Sequence, residues 1–448
     1  MTRICLSIGI TEDLFSPSVD MSDLLELRVD KLGAIPGDLP GSPFIVTLGD
    51  TDHDHHPRIV QEALDRGAWL IDVGEHHIDQ LDEEFMMMSH HDWDITPPTE
   101  RIIDLFSSLR GQVRKCAFMV NCYRDLMSIM EASASIRGRR VLIGMGELGA
   151  ITRIRSDILG NEFTFAHGGR ATAPGQLPVE EMRELGEDPV ILGVTGRPLG
   201  HSLSPPMHRA ALKASGIRGK YLRFDVPEID MMGAFMKAYD VRGMNVTIPY
   251  KVQALSQMDS LDATAKAVGA INTISNEGGN LVGYNTDVLG IKEALWSGGY
   301  RIEGGNALVV GTGGAARACC HALISEGGGV TVTGRDPEKA RALAEDMRCM
   351  DIDKVMGMEG FDLVVNCTPL GMEGFPEDSP FDVREIHEGQ TVFDMVYRPR
   401  ETPLIREAAA QGAKTIEGIE MLIHQALASF RIWTGKDVGQ DVMREAVL

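Results

Sequence analysis

The run Gly311-Thr312-Gly313-Gly314-Ala315-Ala316-Arg317 most narrows what this chain can fold into. It stands directly between an apolar strand-like stretch, Ala307–Val310, and a helical one that reaches Leu323. Glycines spaced this closely allow a sharp turn and let backbone N–H groups approach a pyrophosphate at a helix N-terminus. A second strand, Val330–Thr333, completes a βαβ unit. Glycine-rich turns also occur in α/β folds that bind no ligand, so the strand–turn–helix context carries the reading. Gly311, Gly313, Gly314 and Ala315 are the candidate cofactor contacts. The tip of the second strand selects the nucleotide, because an acid there takes a ribose 2′-OH and an arginine a 2′-phosphate. It reads Thr333-Gly334-Arg335-Asp336, with Lys339 one helical turn later, which favours NADP. Asp336 could contact a ribose hydroxyl or cap the next helix, and Arg335 could be a solvated surface side chain.

One such unit leaves most of the 448 residues unaccounted for, and a chain of that length exceeds a single core. Hydrophobic residues at 43% and charged residues at 24% are globular values. The net charge of -22, from 65 acidic and 43 basic residues, repels phosphate backbones and argues against nucleic acid as a partner. No apolar run approaches the roughly 20 residues that span a bilayer, and no signal-peptide core follows Met1, so a cytoplasmic protein without a membrane partner is expected. Seven cysteines without a C-x-x-C pair predict reduced, mostly buried thiols rather than a disulfide framework or a zinc ribbon. Composition leaves the oligomeric state open.

The first 170 residues alternate apolar, β-rich runs with helical ones. Strands are predicted over Ile4–Ile8, Leu25–Val29, Phe44–Leu48, Trp69–Val73, Phe85–Ser89, Val113–Val120, Arg140–Met145 and Phe163–Ala166, with helices such as Pro57–Arg66, Pro98–Leu109 and Asp125–Ser135 between them. Eight repeats predict a (β/α)₈ barrel, whose chemistry belongs on the C-terminal ends of the strands. Glu26, Arg28, His91, Lys115 and Arg153 fall there. Lys115, flanked by Val113 and Cys116-Ala117-Phe118, is expected to point into an apolar barrel, where desolvation would free its amine to attack a ketone. A strand-end lysine that snorkels to solvent is the competing reading.

Between the two regions lie Gly200-His201-Ser202-Leu203-Ser204-Pro205, Gly243-Met244-Asn245-Val246-Thr247-Ile248-Pro249-Tyr250-Lys251, Gly269-Ala270-Ile271-Asn272-Thr273 and Gly283-Tyr284-Asn285-Thr286-Asp287. Singly, each could be a turn or a helix cap. In this order ahead of a nucleotide fold, and with Asn366-Cys367-Thr368-Pro369, Asp394-Met395-Val396-Tyr397 and Glu417-Gly418 through Gln425, residues 190–448 closely resemble shikimate dehydrogenase. The resemblance implies NADPH-dependent reduction of 3-dehydroshikimate. By it, Lys251 and Asp287 form the catalytic pair, and Ser202 and Ser204 hold the substrate carboxylate. Asn245, Thr247, Asn272, Tyr397 and Gln425 bind or line the substrate, and Asn366 and Thr368 face the cofactor. Gly334 stands where that family commonly has asparagine.

Glu26-Leu27-Arg28-Val29-Asp30, His91-Asp92-Trp93 with Thr96-Pro97, Lys115, Gly144-Met145-Gly146, Thr152-Arg153 and Ala173-Pro174-Gly175-Gln176 resemble type I 3-dehydroquinate dehydratase over about residues 3–180. The resemblance implies that Lys115 forms a Schiff base, that His91 is the general acid and base, and that Glu26 orients it or the substrate. Arg28, Arg153 and Gln176 would bind hydroxyls and the carboxylate, with Thr172 where the family usually has serine. Two departures stand out. The third strand runs into Thr47-Leu48-Gly49-Asp50 where arginine and then glutamate are usual, and the fourth ends Asp72-Val73-Gly74-Glu75 where D-x-E is expected. His53, His55, His56, His76, His77 and His90 lack the spacing of a second fixed ligand group, so no metal site is expected. Met86-Met87-Met88 reads as strand packing.

The fold class that follows is α/β: a (β/α)₈ barrel over residues 1–182, then a two-domain dehydrogenase. Its substrate-binding domain spans 188–292, completed by a C-terminal helix within 417–448, and a Rossmann-type NADP-binding domain spans 293–416. Two enzymes acting in succession would be fused. The rivals are a monofunctional dehydrogenase with a degenerate barrel, a metabolite-sensing regulator on the same folds, and a quinate-preferring enzyme using NAD.

Overall fold

In the computed structural model the described residues are 2–49, 55–74, 81–352 and 357–448. They form two compact bodies, residues 1–190 with 218–241, and residues 191–217 with 242–448.

The first body holds eight parallel strands: β1 Arg3–Ile8, β2 Leu24–Arg28, β3 Phe44–Thr47, β4 Leu70–Asp72, β5 Met86–Asp92, β6 Val113–Met119, β7 Arg140–Met145 and β8 Phe163–His167. Each pairs with the next from β1 to β7, and β8 returns to pair with β1. Successive residues of a strand point to opposite faces, so the interior is built in layers two residues apart. Cys5, Leu24, Ile45, Leu70, Met87, Val113, Val141 and Phe163 make an apolar floor. Two positions further along, the layer turns polar, with Ser7, Glu26, Asp72, Ser89 and Lys115 all buried.

Between β7 and β8 there is no backbone ladder among the described residues. The Asn161 side chain bridges the seam instead, accepting from the Leu142 N–H at 2.7 Å and donating to the Leu142 carbonyl at 2.9 Å. The Glu162 N–H adds a bond to the Arg140 carbonyl at 2.8 Å.

β5 runs three residues past the predicted Phe85–Ser89. Its inward face passes from Met87 to Ser89 and His91, and a strand whose inner residues turn polar loses the apolar signal before it ends. Met86, Met87 and Met88 are buried as strand packing.

In the second body, six parallel strands lie in the order Met350–Asp351, Gly329–Thr333, Asn306–Val310, Leu363–Asn366, Thr391–Asp394, Lys414–Glu417. The order reverses at Asn306–Val310, which opens a crevice at the ends of that strand and of Leu363–Asn366. The glycine-rich turn occupies that place. A second sheet carries Val241–Val246, Thr273–Glu277 and Asn280–Tyr284 as antiparallel neighbours. Helix Gly418–Thr434, inside the expected 417–448, closes on it. Trp433 donates its indole N–H to the Ile274 carbonyl at 2.9 Å. A Cβ on Gly243 would stand 2.4 Å from that indole ring, so only glycine lets the helix dock.

None of the seven cysteines is in a disulfide, and Cys5, Cys116, Cys319 and Cys320 are buried. Among the described residues no helix is long and apolar enough to cross a membrane.

Candidate functional site

The polar layer of the barrel opens into a cavity of about 370 Å³ lined by Glu26, Arg28, His91, Lys115, Arg153, Thr172 and Gln176, all seven of the residues expected there. Lys115 is 6% exposed. Its surroundings are not purely apolar, which corrects the expectation from its neighbours in sequence. Its Nζ lies 4.6 Å from the centre of the Phe165 ring, and it also donates to Asp72 Oδ2 at 3.2 Å. Asp72 was quoted in the sequence only for its departure from D-x-E. Its other oxygen accepts from Ser89 Oγ at 2.6 Å and from the Gly74 N–H at 3.2 Å. Burial opposes the Asp72 charge, but Lys115 and the Ser89 hydroxyl hold its carboxyl below the usual range.

His91 is half-buried two residues beyond Ser89, which is in register with Lys115. Burial, reinforced by the Lys115 charge, pushes its imidazole down to about 3, so at neutral pH it is an uncharged proton acceptor. The Trp93 ring stacks on it, 5.8 Å between centres and 12° from parallel. Glu26 accepts from Ser7 Oγ at 2.6 Å and from Thr47 Oγ1 at 2.9 Å. Gln176 Oε1 accepts from the Thr172 N–H at 2.7 Å, and its Nε2 donates to Ser7 Oγ at 3.3 Å.

Arg153 is buried and donates to the Gly144 carbonyl at 2.6 Å and the Pro174 carbonyl at 3.3 Å, while its Nε has no partner among the described residues. Loss of hydration pushes it down to about 10, so it remains a cation at neutral pH. Arg28 forks onto Asp30 at 2.9 and 2.5 Å. Gly49, with φ of +52°, meets that same acid: a Cβ there would lie 2.7 Å from Asp30. Asp50, Glu75, His53, His76 and His77 lie outside the described residues. Among the described residues no group of three or more His, Cys, Asp or Glu could hold a metal.

In the second body, Lys251 donates to Asp287 Oδ2 at 2.5 Å. Asp287 opens helix Asp287–Ser297, which fixes its direction, and its other oxygen accepts from Asn272 Nδ2 at 2.7 Å. Asn272 Nδ2 also reaches Gln425 Oε1 at 3.3 Å, and Asn272 Oδ1 accepts from the Thr286 N–H at 2.8 Å. Asn245 donates to Ser429 Oγ at 3.1 Å and to Thr273 Oγ1 at 3.2 Å. Ser429, buried on the C-terminal helix and within 3.1 Å of the Thr286 hydroxyl, was not identified from sequence. Only its spacing, one helical turn after Gln425, could have pointed to it. Ser204 starts helix Ser204–Ala214, with its N–H 3.4 Å from Ser202 Oγ. The Thr247 methyl fills the space beside Gly196. Tyr397 is half-buried, and that burial raises its phenol. These four make no hydrogen bond to the Asn272 network among the described residues.

The nucleotide turn fits a dinucleotide. Gly311 has φ of +131°, and a Cβ on it would sit 3.0 Å from the Cys367 carbonyl oxygen. Helix Gly314–Ser325 begins directly after Gly313. Asn366 Oδ1 accepts from Thr368 Oγ1 at 2.7 Å, while its Nδ2 donates to the buried Asp394 at 2.9 Å, which anchors the opposite lip. Asp394 was quoted from sequence without a role. Arg335 is exposed at the tip of Gly329–Thr333, and Lys339 Nζ lies 3.5 Å from Asp336. Asp336 caps helix Pro337–Met347, accepting from the Lys339 N–H.

The type I 3-dehydroquinase family model matches residues 16–187. The shikimate dehydrogenase substrate-binding domain matches 194–274, and the shikimate 5′-dehydrogenase C-terminal domain matches 418–448. A shikimate dehydrogenase (NADP(+)) of Archaeoglobus fulgidus is 45% identical over 57% of this chain and 97% of its own length. A Thermus thermophilus shikimate 5-dehydrogenase, solved with NADP(H) and shikimate, superposes with a TM-score of 0.54 at 39% identity, covering 57% of this chain and 98% of that one. A Corynebacterium glutamicum quinate dehydrogenase with NAD superposes equally, at a TM-score of 0.54 and 32% identity over 58% of this chain and 98% of that one. Through its C-terminal part this chain belongs to the shikimate dehydrogenase family, and a type I 3-dehydroquinase domain precedes that part in the same polypeptide.

Proposed function

We propose that the chain is a fused shikimate-pathway enzyme: a barrel over 1–182 dehydrates 3-dehydroquinate, and a dehydrogenase over 188–448 reduces the product with NADPH. The observation that carries this reading is the pair of lysine centres. One is a buried lysine paired with Asp72 beside a neutral imidazole, and the other is a lysine held by a carboxylate at a nucleotide turn.

In the barrel, the Lys115 ammonium gives up a proton, its free amine adds to the substrate ketone, and return of that proton as the hydroxyl leaves as water gives a protonated imine. That imine draws electrons from the neighbouring carbon, where neutral His91 takes the proton. The adjacent hydroxyl then leaves as water, with its proton returned by His91, and hydrolysis releases the enone and frees Lys115. Asp72 balances positive charge at the nitrogen throughout. Arg153 is the cation placed for the substrate carboxylate.

In the dehydrogenase, NADPH supplies the hydride when bound, with Gly311, Gly313, Gly314, Ala315, Asn366 and Thr368 around it. Lys251 gives the proton to the developing alkoxide, Asp287 aims Lys251, and Asn272 aims Asp287. Ser202, Ser204, Thr247, Tyr397 and Gln425 surround the rest of the substrate.

A single coupled assay tests the whole reading. The chain supplied with 3-dehydroquinate and NADPH is expected to form shikimate with one equivalent of NADPH consumed. Consumption with 3-dehydroshikimate but none with 3-dehydroquinate would leave the barrel as a scaffold.

Cofactor choice has its own test. Arg335→Ala should raise the KM for NADPH far more than that for NADH, because only the former carries the 2′-phosphate. Equal changes in the two would make Arg335 a surface residue.

A further inference from the structure

Lys251 is fixed at both ends. Its carbonyl accepts from the Ile271 N–H at 2.9 Å, and its ammonium is held by Asp287 at 2.5 Å. The stem between these anchors runs across the start of helix Gly314–Ser325. A Cβ built on Gly314 would lie 3.0 Å from Lys251 Cβ and 3.1 Å from Lys251 Cδ, tighter than ordinary van der Waals contact. Two other glycines of the region face differently. The space beside Gly313 is open to 4 Å, and Gly311 abuts Cys367 on its own sheet. Gly314 is therefore the position in the turn whose missing side chain is filled by the lysine.

We propose that Gly314 is a positioning residue for Lys251, and that the nucleotide turn sets the reach of the proton donor as well as cradling the cofactor. The inference rests on the reading of Lys251 as that donor. A methyl group at 314 cannot be absorbed by sliding the stem along its length, since both ends are tied. Relief must come from displacing the ammonium or the turn. A shift of a few tenths of an ångström to one ångström at a proton donor lowers turnover steeply, because proton transfer depends on hydrogen-bond reach.

The test is a double-mutant cycle on the full chain with two readouts, turnover of 3-dehydroshikimate and the Kd for NADPH from its own fluorescence. Gly314→Ala is expected to lower kcat by about 10- to 100-fold, the scale of a misplaced catalytic group, with a clearly smaller loss of NADPH affinity. In a Lys251→Ala background, which keeps the Cβ contact but has no ammonium to misplace, the same substitution should cause a much smaller further loss. Equal losses in both backgrounds, or a Kd that weakens in step with kcat or binding that disappears, would overturn the proposal and return Gly314 to phosphate binding or folding alone. Unchanged turnover in Gly314→Ala would overturn it too. If Lys251→Ala itself turns over normally, the donor assignment has failed rather than the steric argument.

Discussion

Borohydride added to the chain together with 3-dehydroquinate is expected to leave a stable adduct, and peptide mass spectrometry should place the added mass on Lys115. Lys115→Ala should give no adduct and lose dehydration by something on the order of 10⁴–10⁶-fold, the scale on which loss of a covalent nucleophile is felt. The reason is geometric. Lys115 is the amine that lines the cavity, and Asp72, Phe165 and the apolar floor hold it from three sides. His91→Ala separates the two halves of the mechanism, because imine formation does not need the base that removes the carbon-bound proton. That variant should lose most turnover and still trap ligand. An adduct on another lysine would relocate the nucleophile, and no adduct with no dehydration would mean that the departures at Gly49 and Gly74 have silenced the cavity.

The second large effect is expected in the other body. Lys251→Ala should reduce 3-dehydroshikimate turnover by about 10²–10⁴-fold, the usual loss for a positioned acid or base. NADPH should still bind, because the glycine turn and the Asn366–Thr368–Asp394 lip are untouched. The buried Asp287 would lose its cation but keep the Asn272 amide, so the fold has a remaining partner for it. Turnover near that of the unaltered chain would end the assignment of Lys251 as proton donor.

What sequence could reveal here depended on how local each constraint is. The turn at Gly311–Gly314 was legible because its backbone demands glycine whatever surrounds it. The eight strands were legible because apolar runs and alternation are local. The end of β5 was hidden because His91 replaces an apolar inward residue, and a strand end that turns polar resembles a loop. Asp72 was hidden differently. Its partner lies 43 residues away on β6, and neighbours in sequence cannot reveal that β4 and β6 aim into one layer. The apolar surroundings expected for Lys115 failed on the same point, since Val113 and Ala117 share its face but not its ammonium. Ser429 has no motif at all, and helix docking through Trp433 and Gly243 is what brings it to Asn245.

The seam at Asn161 carries a consequence for motion. Elsewhere around the barrel, opening one strand from the next breaks a backbone ladder, whereas here separate bonds span the gap: the Asn161 amide, Arg140 to the Leu159 carbonyl, Arg139 to Glu162, and the N–H groups of Glu162 and Gly146. Breathing is easiest where the fewest bonds must break at once. Gly144, the carbonyl that grips Arg153, lies on β7 at this lip, and Pro174, its other grip, lies beyond β8. The cation proposed for the substrate carboxylate is thus clipped across the gap in the ladder. A carboxylate bound by Arg153 would tie the two sides together where the ladder lacks a rung.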